Sequence, residues 1–306
     1  MSNIFFNKYW WIAKRLRTNQ LQKRSSLDLS FSEFDLFKTD ISQRGGEYFL
    51  GYYSKEGINK ALKEYGIFKL LARNGFRNVF TVIDTSDMYK HKLSVYFEKK
   101  DIHHLLMELV LSKEFITIDM PFDTKLQHKK IETLKIDWMS MQNPLKQFTA
   151  KRPQLPGQKY PGLGFSHIAI KLLMIMNWRL NLIGLLNVPE HYHNACFYSK
   201  IFLYINPDTQ AKFLALKKQL KSYNLSKLTW GMEWGCVIDV VNEKPFSWIV
   251  DNEIVPMDIE LKKIMHGKEY KNYVKNKLKD YKFAFDEEKY NYHKNKTLKQ
   301  DLENYI

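Results

Sequence analysis

Apolar residues recur along this chain at two spacings, and the switches between them divide it into helices and strands. Phe5, Tyr9, Ile12 and Leu16 share one helical face with Lys8, Lys14, Arg15 and Arg17 around it, which predicts an amphipathic helix over 4–18. Such a helix either docks on its own domain or lies on a membrane surface. Residues 20–26 are polar; Leu27, Leu29 and Phe31, then Phe34 and Phe37, predict an extended piece before a turn at Gly45-Gly46. Ser54 is placed to cap a helix with Ile58, Ala61, Leu62, Tyr65, Phe68 and Leu71 inward, and Asn74-Gly75 closes it. Val79–Ile83 and Leu93–Phe97, separated by Asp84-Thr85-Ser86-Asp87, predict a hairpin. Asp101–Leu111 reads as helix and Ile116–Met120 as a strand. Leu134, Ile136 and Trp138 alternate with Lys135, Asp137 and Met139 as a strand with two distinct faces.

The stretch 159–200 is the most patterned. Lys159-Tyr160-Pro161-Gly162-Leu163-Gly164 is a glycine turn, after which Ile168, Leu172, Leu173, Ile175 and Met176 recur at helical spacing up to Trp178. Leu182–Val188 is a short apolar run closed by Pro189, the mark of a buried strand, and Asn194–Phe202 restarts a helix. Between the strand at Leu134 and the turn lies QNPLKQFTAKRPQLPGQ, stiffened by Pro144, Pro153 and Pro156; loops of this length usually serve function or move. Asn206-Pro207-Asp208 opens a further helix, Leu228–Val241 reads as one or two strands, and Pro245–Val250 offers a partner strand across Asn242-Glu243-Lys244. Beyond Pro256 the chain is Lys- and Tyr-rich without a strong apolar stripe, predicting helix and tail packed loosely outside the core.

Composition narrows the class. With 306 residues, 44% of them apolar and 15% aromatic, the chain can bury a substantial core. Cys196 and Cys236 alone make no disulfide framework or zinc ribbon, which suits a reducing, cytoplasmic setting. The most apolar window, 167–188, is broken by Lys171, Asn177, Arg179 and Asn181, so no transmembrane segment is predicted. The N-terminus lacks an apolar stretch followed by a cleavage site, so the mature chain is expected to start where the sequence does. The net charge of +15 favours an anionic partner. Between Lys125 and Lys171 nine Lys or Arg stand against Glu132 and Asp137, either a solvated face or a setting for phosphate.

Two glycines at the mouth of a helix expose backbone N–H groups, and the missing Cβ atoms admit a close ligand. That turn, with Ala195-Cys196-Phe197-Tyr198-Ser199-Lys200 one helix and one strand later, resembles the GNAT superfamily of acyl-CoA-dependent N-acyltransferases over about residues 133–203. The chain departs from the family pattern at Lys159, where Gln or Arg is usual, at Pro161, and at Phe202-Leu203 in place of Gly-Phe.

The resemblance implies an α/β (α+β) fold, a mixed and mostly antiparallel central sheet flanked by helices, with N- and C-terminal extensions. Its domains would be an extension over 1–45, an acyl-CoA-binding domain over 46–250 and a charged helical tail over 251–306. It also implies that the strands near Leu134 and Leu185 adjoin in parallel. Acetyl-CoA or another acyl-CoA would bind at Lys159, Gly162, Leu163, Gly164 and Phe165, and an amine would be the acceptor. Tyr198 takes the position of the family's proton donor, or is only a core aromatic beside Phe197 and Phe202. Asp137 or Glu190 could act as base through a water, or be plain surface carboxylates.

His191-x-His193-x-x-Cys196 lacks a fourth ligand at zinc spacing, so no metal is expected, and a substrate-facing base is the better use of either histidine. The rival class is a catalytically inactive basic module on the same fold. Nucleic acid is its candidate partner, although no RRM, KH or helix-turn-helix signature is present.

Overall fold

The computed structural model describes residues 3–23 and 48–303. The extended piece expected at Leu27–Phe37 and the Gly45-Gly46 turn lie outside the described residues. The strands are β1 (Val79–Asp84), β2 (Lys90–Phe97), β3 (Leu105–Thr117), β4 (Lys130–Met141), β5 (Gly184–Asn187), β6 (Leu203–Tyr204), β7 (Val237–Asp239), β8 (Lys244–Pro245), β9 (Glu253–Pro256) and β10 (Phe283–Phe285). Seven of them form a mostly antiparallel sheet of order β1-β2-β3-β4-β5-β9-β6, flanked by helices; β10-β7-β8 form a smaller sheet. The mixed, helix-flanked sheet is the architecture expected above.

The chain divides into two compact units, one of residues 1–116, 132–147 and 160–185, the other of 117–131, 148–159 and 186–306. In the first, α1 (Asn3–Arg15) occupies the predicted N-terminal helix. It docks on its own unit: Arg179 donates to the carbonyls of Ala13 and Leu16, and Trp10 meets Trp178 edge to face at 5.1 Å. After α2 (Thr18–Leu21), α3 (Lys55–Glu64) starts at Ser54, whose hydroxyl accepts the Gly57 N–H. The helix expected to run on to Asn74 is broken at Gly66, where φ is +79°, and resumes as α4 (Ile67–Arg73).

An added Cβ at Gly57 would sit 1.9 Å from the Leu21 carbonyl oxygen. Helix propensity alone favours Ala over Gly by about 1 kcal/mol. Backbone overlap outweighs that, since overpacking costs about 1–3 kcal/mol even where side chains can yield. Gly57→Ala is therefore expected to lower stability in urea unfolding, and a stabilised variant would contradict this packing.

The β1–β2 hairpin forms as predicted, in the register Val79↔Phe97 to Asp84↔Lys92. The helix expected at Asp101–Leu111 does not form. Asp101 Oδ1 instead accepts the backbone N–H groups of His103 and His104, at 2.9 and 3.1 Å, and closes a turn. The following residues then pair with β2, Val95 opposite Met107 and Leu93 opposite Leu109, and the strand expected at Ile116 is the end of this same β3. β4 and β5 adjoin, and β5 enters beside the start of β4, where the Ile183 N–H donates to the Glu132 carbonyl at 3.0 Å. Between them runs α5 (Ser166–Arg179).

In the second unit, α6 (Tyr192–Tyr198) begins two residues earlier and ends four earlier than the apolar pattern indicated. α7 (Pro207–Gln219) has the expected cap, Asn206 Oδ1 accepting the Asp208 N–H. The run Leu228–Val241 is not a strand over its first half but α8 (Leu225–Glu233), followed by β7. Asn224 decides it by accepting the Lys227 N–H, after which Leu228 and Met232 fall inward and Trp230 and Trp234 stack as neighbours four apart. The expected partner strand is the short β8, with Ile238 opposite Pro245.

The C-terminal stretch is tied in rather than loose. α9 (Ile259–Met265) and α10 (Lys268–Lys277) bury Leu261, Met265, Tyr270 and Val274. The Phe283 N–H of β10 donates to Gln219 Oε1 at 2.7 Å, and α11 (Glu287–Glu303) buries Tyr290. Tyr192, Phe213, Leu216, Phe246 and Phe283 lie in the core of this unit. Among the described residues no helix is long and apolar enough to cross a membrane.

Candidate functional site

The glycine turn lies against the end of β4. Gln142 bridges to Gly162, the Asn143 N–H donates to the Pro161 carbonyl at 2.7 Å, and the Leu163 N–H reaches the Met141 carbonyl at 3.4 Å. Leu163 and Phe165 turn inward and are buried, whereas Gly162 and Gly164 face out. Gly164 has φ +84° and nothing within 4 Å of where its Cβ would stand, so the backbone there borders open space. α5 begins directly after it, without a side-chain cap and without an acidic residue in its first turn. No acidic side chain of its own first turn compensates the positive end of its dipole. Lys159 belongs to the second unit and Gly162 to the first.

Asp137 stands on β4 with Oδ1 3.8 Å from Lys90 Nζ and 3.9 Å from Lys135 Nζ. Its Oδ2 is buried and makes no hydrogen bond among the described residues. Tyr198 and Glu190 belong to the second unit, so each unit holds part of the expected catalytic set. Tyr198 is the last residue of α6, half-buried, its ring 6.1 Å from that of Phe202 and tilted 59°. Glu190 is exposed on the turn out of β5, where the neighbouring Pro189 carbonyl accepts Trp248 Nε1 at 2.9 Å.

The histidine–cysteine stretch resolves into separate environments. His191 Nδ1 lies 2.8 Å from Glu233 Oε1. His193 stacks on it at 5.3 Å and 13°, and burial, then the neighbouring His191, push its pKa down to about 4. Burial pushes the Cys196 thiol up to about 11, which leaves it unreactive at neutral pH. Among the described residues no group of three His, Cys, Asp or Glu is arranged to hold a metal ion.

Two carboxyl groups escaped the sequence reading. Glu233 orients His191 from 42 residues away. Glu253 on β9 is 2% exposed and accepts from Asn187 Nδ2 at 2.7 Å; burial drives its carboxyl up to about 8. Across the strand pair stands Tyr204, whose hydroxyl is buried without a hydrogen-bond partner among the described residues. Neither carboxyl belongs to a local motif.

No protein-family model matches the chain, and no curated protein matches it. Among solved structures, a crystal structure of AtaTR bound with AcCoA is 13% identical over 52% of this chain and 80% of that one, with a TM-score of 0.26. AtaT complexed with acetyl-methionyl-tRNAfMet is likewise 13% identical, over 51% and 81%, with a TM-score of 0.27. Superpositions at that level define neither family nor activity.

Proposed function

We propose that the chain is an N-acyltransferase that moves an acyl group, most simply acetyl, from coenzyme A to an amine. The observation that carries this is the glycine turn: two outward glycines, open space at Gly164, and an uncapped helix start with no acidic residue in its first turn. Backbone amides at a helix start, together with the positive end of its dipole, suit a pyrophosphate. Gly162, Leu163, Gly164 and Phe165 are the residues assigned to it. Leu163 contributes mainly by burying its side chain and fixing the turn, since its N–H reaches Met141.

In this reading Tyr198 protonates the departing thiolate, and Asp137 or Glu190 deprotonates the amine through a water. The position of Tyr198 at the end of α6, after β5, supports its role.

Calorimetry with acetyl-CoA tests the anion site. A valine at Gly164 would project its side chain into the open space and adopt a left-handed φ at a cost of about 1–2 kcal/mol, without touching other protein atoms within 4 Å at Cβ. Folded Gly164→Val is expected to bind acetyl-CoA at least about tenfold more weakly, or 1.4 kcal/mol. Unchanged affinity would remove the turn from the site.

A further inference from the structure

We propose that the outward face of α1, with the exposed end of α5 beside it, binds a single-stranded nucleic acid. The face lies within the first unit and stands apart from the acyl-transfer reading. Its charge is one-sided. Residues 3–23 hold Lys8, Lys14, Arg15, Arg17 and Lys23, all exposed, and no Asp or Glu. Residues 160–179, which lead into and form α5, hold no Asp or Glu either, and they add Lys171 and Arg179. α1 packs on α5 through Trp10 and Trp178, so two stretches far apart in the sequence meet without an acid from either. On the neighbouring α3, Glu64 follows the helix face that brings Tyr65 within 6.1 Å of Tyr9, and Lys60 holds it at 3.7 Å.

Helical geometry sorts the side chains of α1. Tyr9, Ala13 and Leu16 are buried in the unit, and the opposite side carries Lys8, Trp11, Lys14 and Arg15. From Lys8 to Arg15 the helix rises about 10 Å, about three nucleotides along one strand. Five cations without an acid among them favour a polyanion.

Two observations choose nucleic acid over a lipid surface. A helix that lies on a membrane sinks its apolar face into the headgroup boundary, and α1 has spent that face on its own unit. The large rings left outside are indoles, although Trp is on average highly buried. Trp11 is 58% exposed, and Trp178, near the end of α5, is 46% exposed. Arg15 Cζ lies 3.9 Å from the Trp11 ring centre, so guanidinium and indole form one stacked unit on the helix surface. Cations interleaved with flat rings serve a strand whose bases are unstacked: the cations take phosphates and the rings take base faces.

The test is fluorescence anisotropy of the full chain with short labelled RNA and DNA single strands, from about 50 to 200 mM salt. Four or five phosphate contacts predict a slope of log affinity against log salt of about −3. The triple variant Lys8→Gln, Lys14→Gln, Arg15→Gln is expected to bind at least about tenfold more weakly at low salt, with the slope shallower by about 2. Trp11→Ala is expected to lose about tenfold with the slope unchanged, because it removes stacking and no charge. A control that loses the same charge elsewhere, Lys262→Gln, Lys268→Gln, Lys275→Gln, should keep most of the affinity. Binding of either polymer supports the face, and the ratio of the two identifies it. A wild type that binds neither strand overturns the proposal, as does a control that loses as much as the triple variant. Binding confined to vesicles of phosphatidylcholine with phosphatidylserine also overturns it, in favour of a membrane. Acetyl-CoA affinity, measured alongside, is expected to be unchanged in every variant, so this face and the acyl-transfer reading fail separately.

Discussion

Glu253 is expected to take roughly 2 kcal/mol from the unfolding free energy between pH 6.5 and pH 8, and Glu253→Gln is expected to remove that share. Burial raises the Glu253 carboxyl from 4.5 to about 8, so between those values the folded chain holds a proton that the unfolded chain has released. Stability from this group is full below pH 4.5 and is lost as the pH rises through 8, at about 1.4 kcal/mol per pH unit. His193 has the opposite sign. Its folded value of about 4 lies below the unfolded 6.5, so its contribution is present above pH 6.5 and lost as the pH falls towards 4.

His91, His167 and His266 are also pushed down by burial and act on the same side as His193. The two effects oppose one another in mild acid and for about a pH unit above 6.5, so the share of Glu253 is read as the difference between the wild type and Glu253→Gln. A glutamine keeps an oxygen for Asn187 Nδ2 and cannot ionise. Urea unfolding of both proteins at pH 5.5, 6.5 and 8 measures the slopes, and a Glu253→Gln variant with the wild-type slope between pH 6.5 and 8 would show Glu253 to be ionised in the fold.

What was legible in the sequence were features whose cause is local. The hairpin of β1 and β2 follows from two alternating runs around Asp84-Thr85-Ser86-Asp87, and α3 follows from Ser54 and the apolar positions after it. The glycine turn, α5, β5 and α6 could be read because each is bounded by its own glycine, proline or change of period. The errors came where one polar side chain settled a choice that the apolar pattern left balanced. Leu225–Asp239 carries two tryptophans and several aliphatic residues, a composition that suits a strand, and Asn224 starts a helix. Asp101 draws two backbone N–H groups into a turn and so frees Leu105–Leu111 to pair with β2.

The candidate site divides along the same line. Gly162, Gly164 and Tyr198 are candidates that spacing along the chain proposes. Glu233 and Glu253 could not be proposed that way, because each takes its meaning from a partner 42 or 66 residues away. A buried acid on a four-residue strand such as Glu253-Ile254-Val255-Pro256 looks like an ordinary edge residue until Asn187 and Tyr204 are set beside it.

Tyr198→Phe is expected to lower turnover by about 10²–10⁴-fold while leaving acetyl-CoA affinity nearly unchanged. The thiolate leaving from coenzyme A needs a proton, and a phenol, with an ordinary pKa of about 10, holds one at neutral pH, whereas a phenyl ring has none. The substitution removes only the hydroxyl. The ring that tilts 59° against Phe202 at 6.1 Å is kept, and so is the Tyr198 carbonyl that accepts the Ile201 and Phe202 N–H groups at the end of α6. Those two contacts survive the substitution, and urea unfolding of the variant separates a loss of rate from a loss of fold.

If Tyr198→Phe matches the wild-type rate, the tyrosine is a core aromatic and the thiolate finds its proton from solvent. If acetyl-CoA binds but no amine is acylated by the wild type, Pro161 and Phe202 mark a chain that keeps the anion site without the chemistry, and the basic binding module becomes the better description.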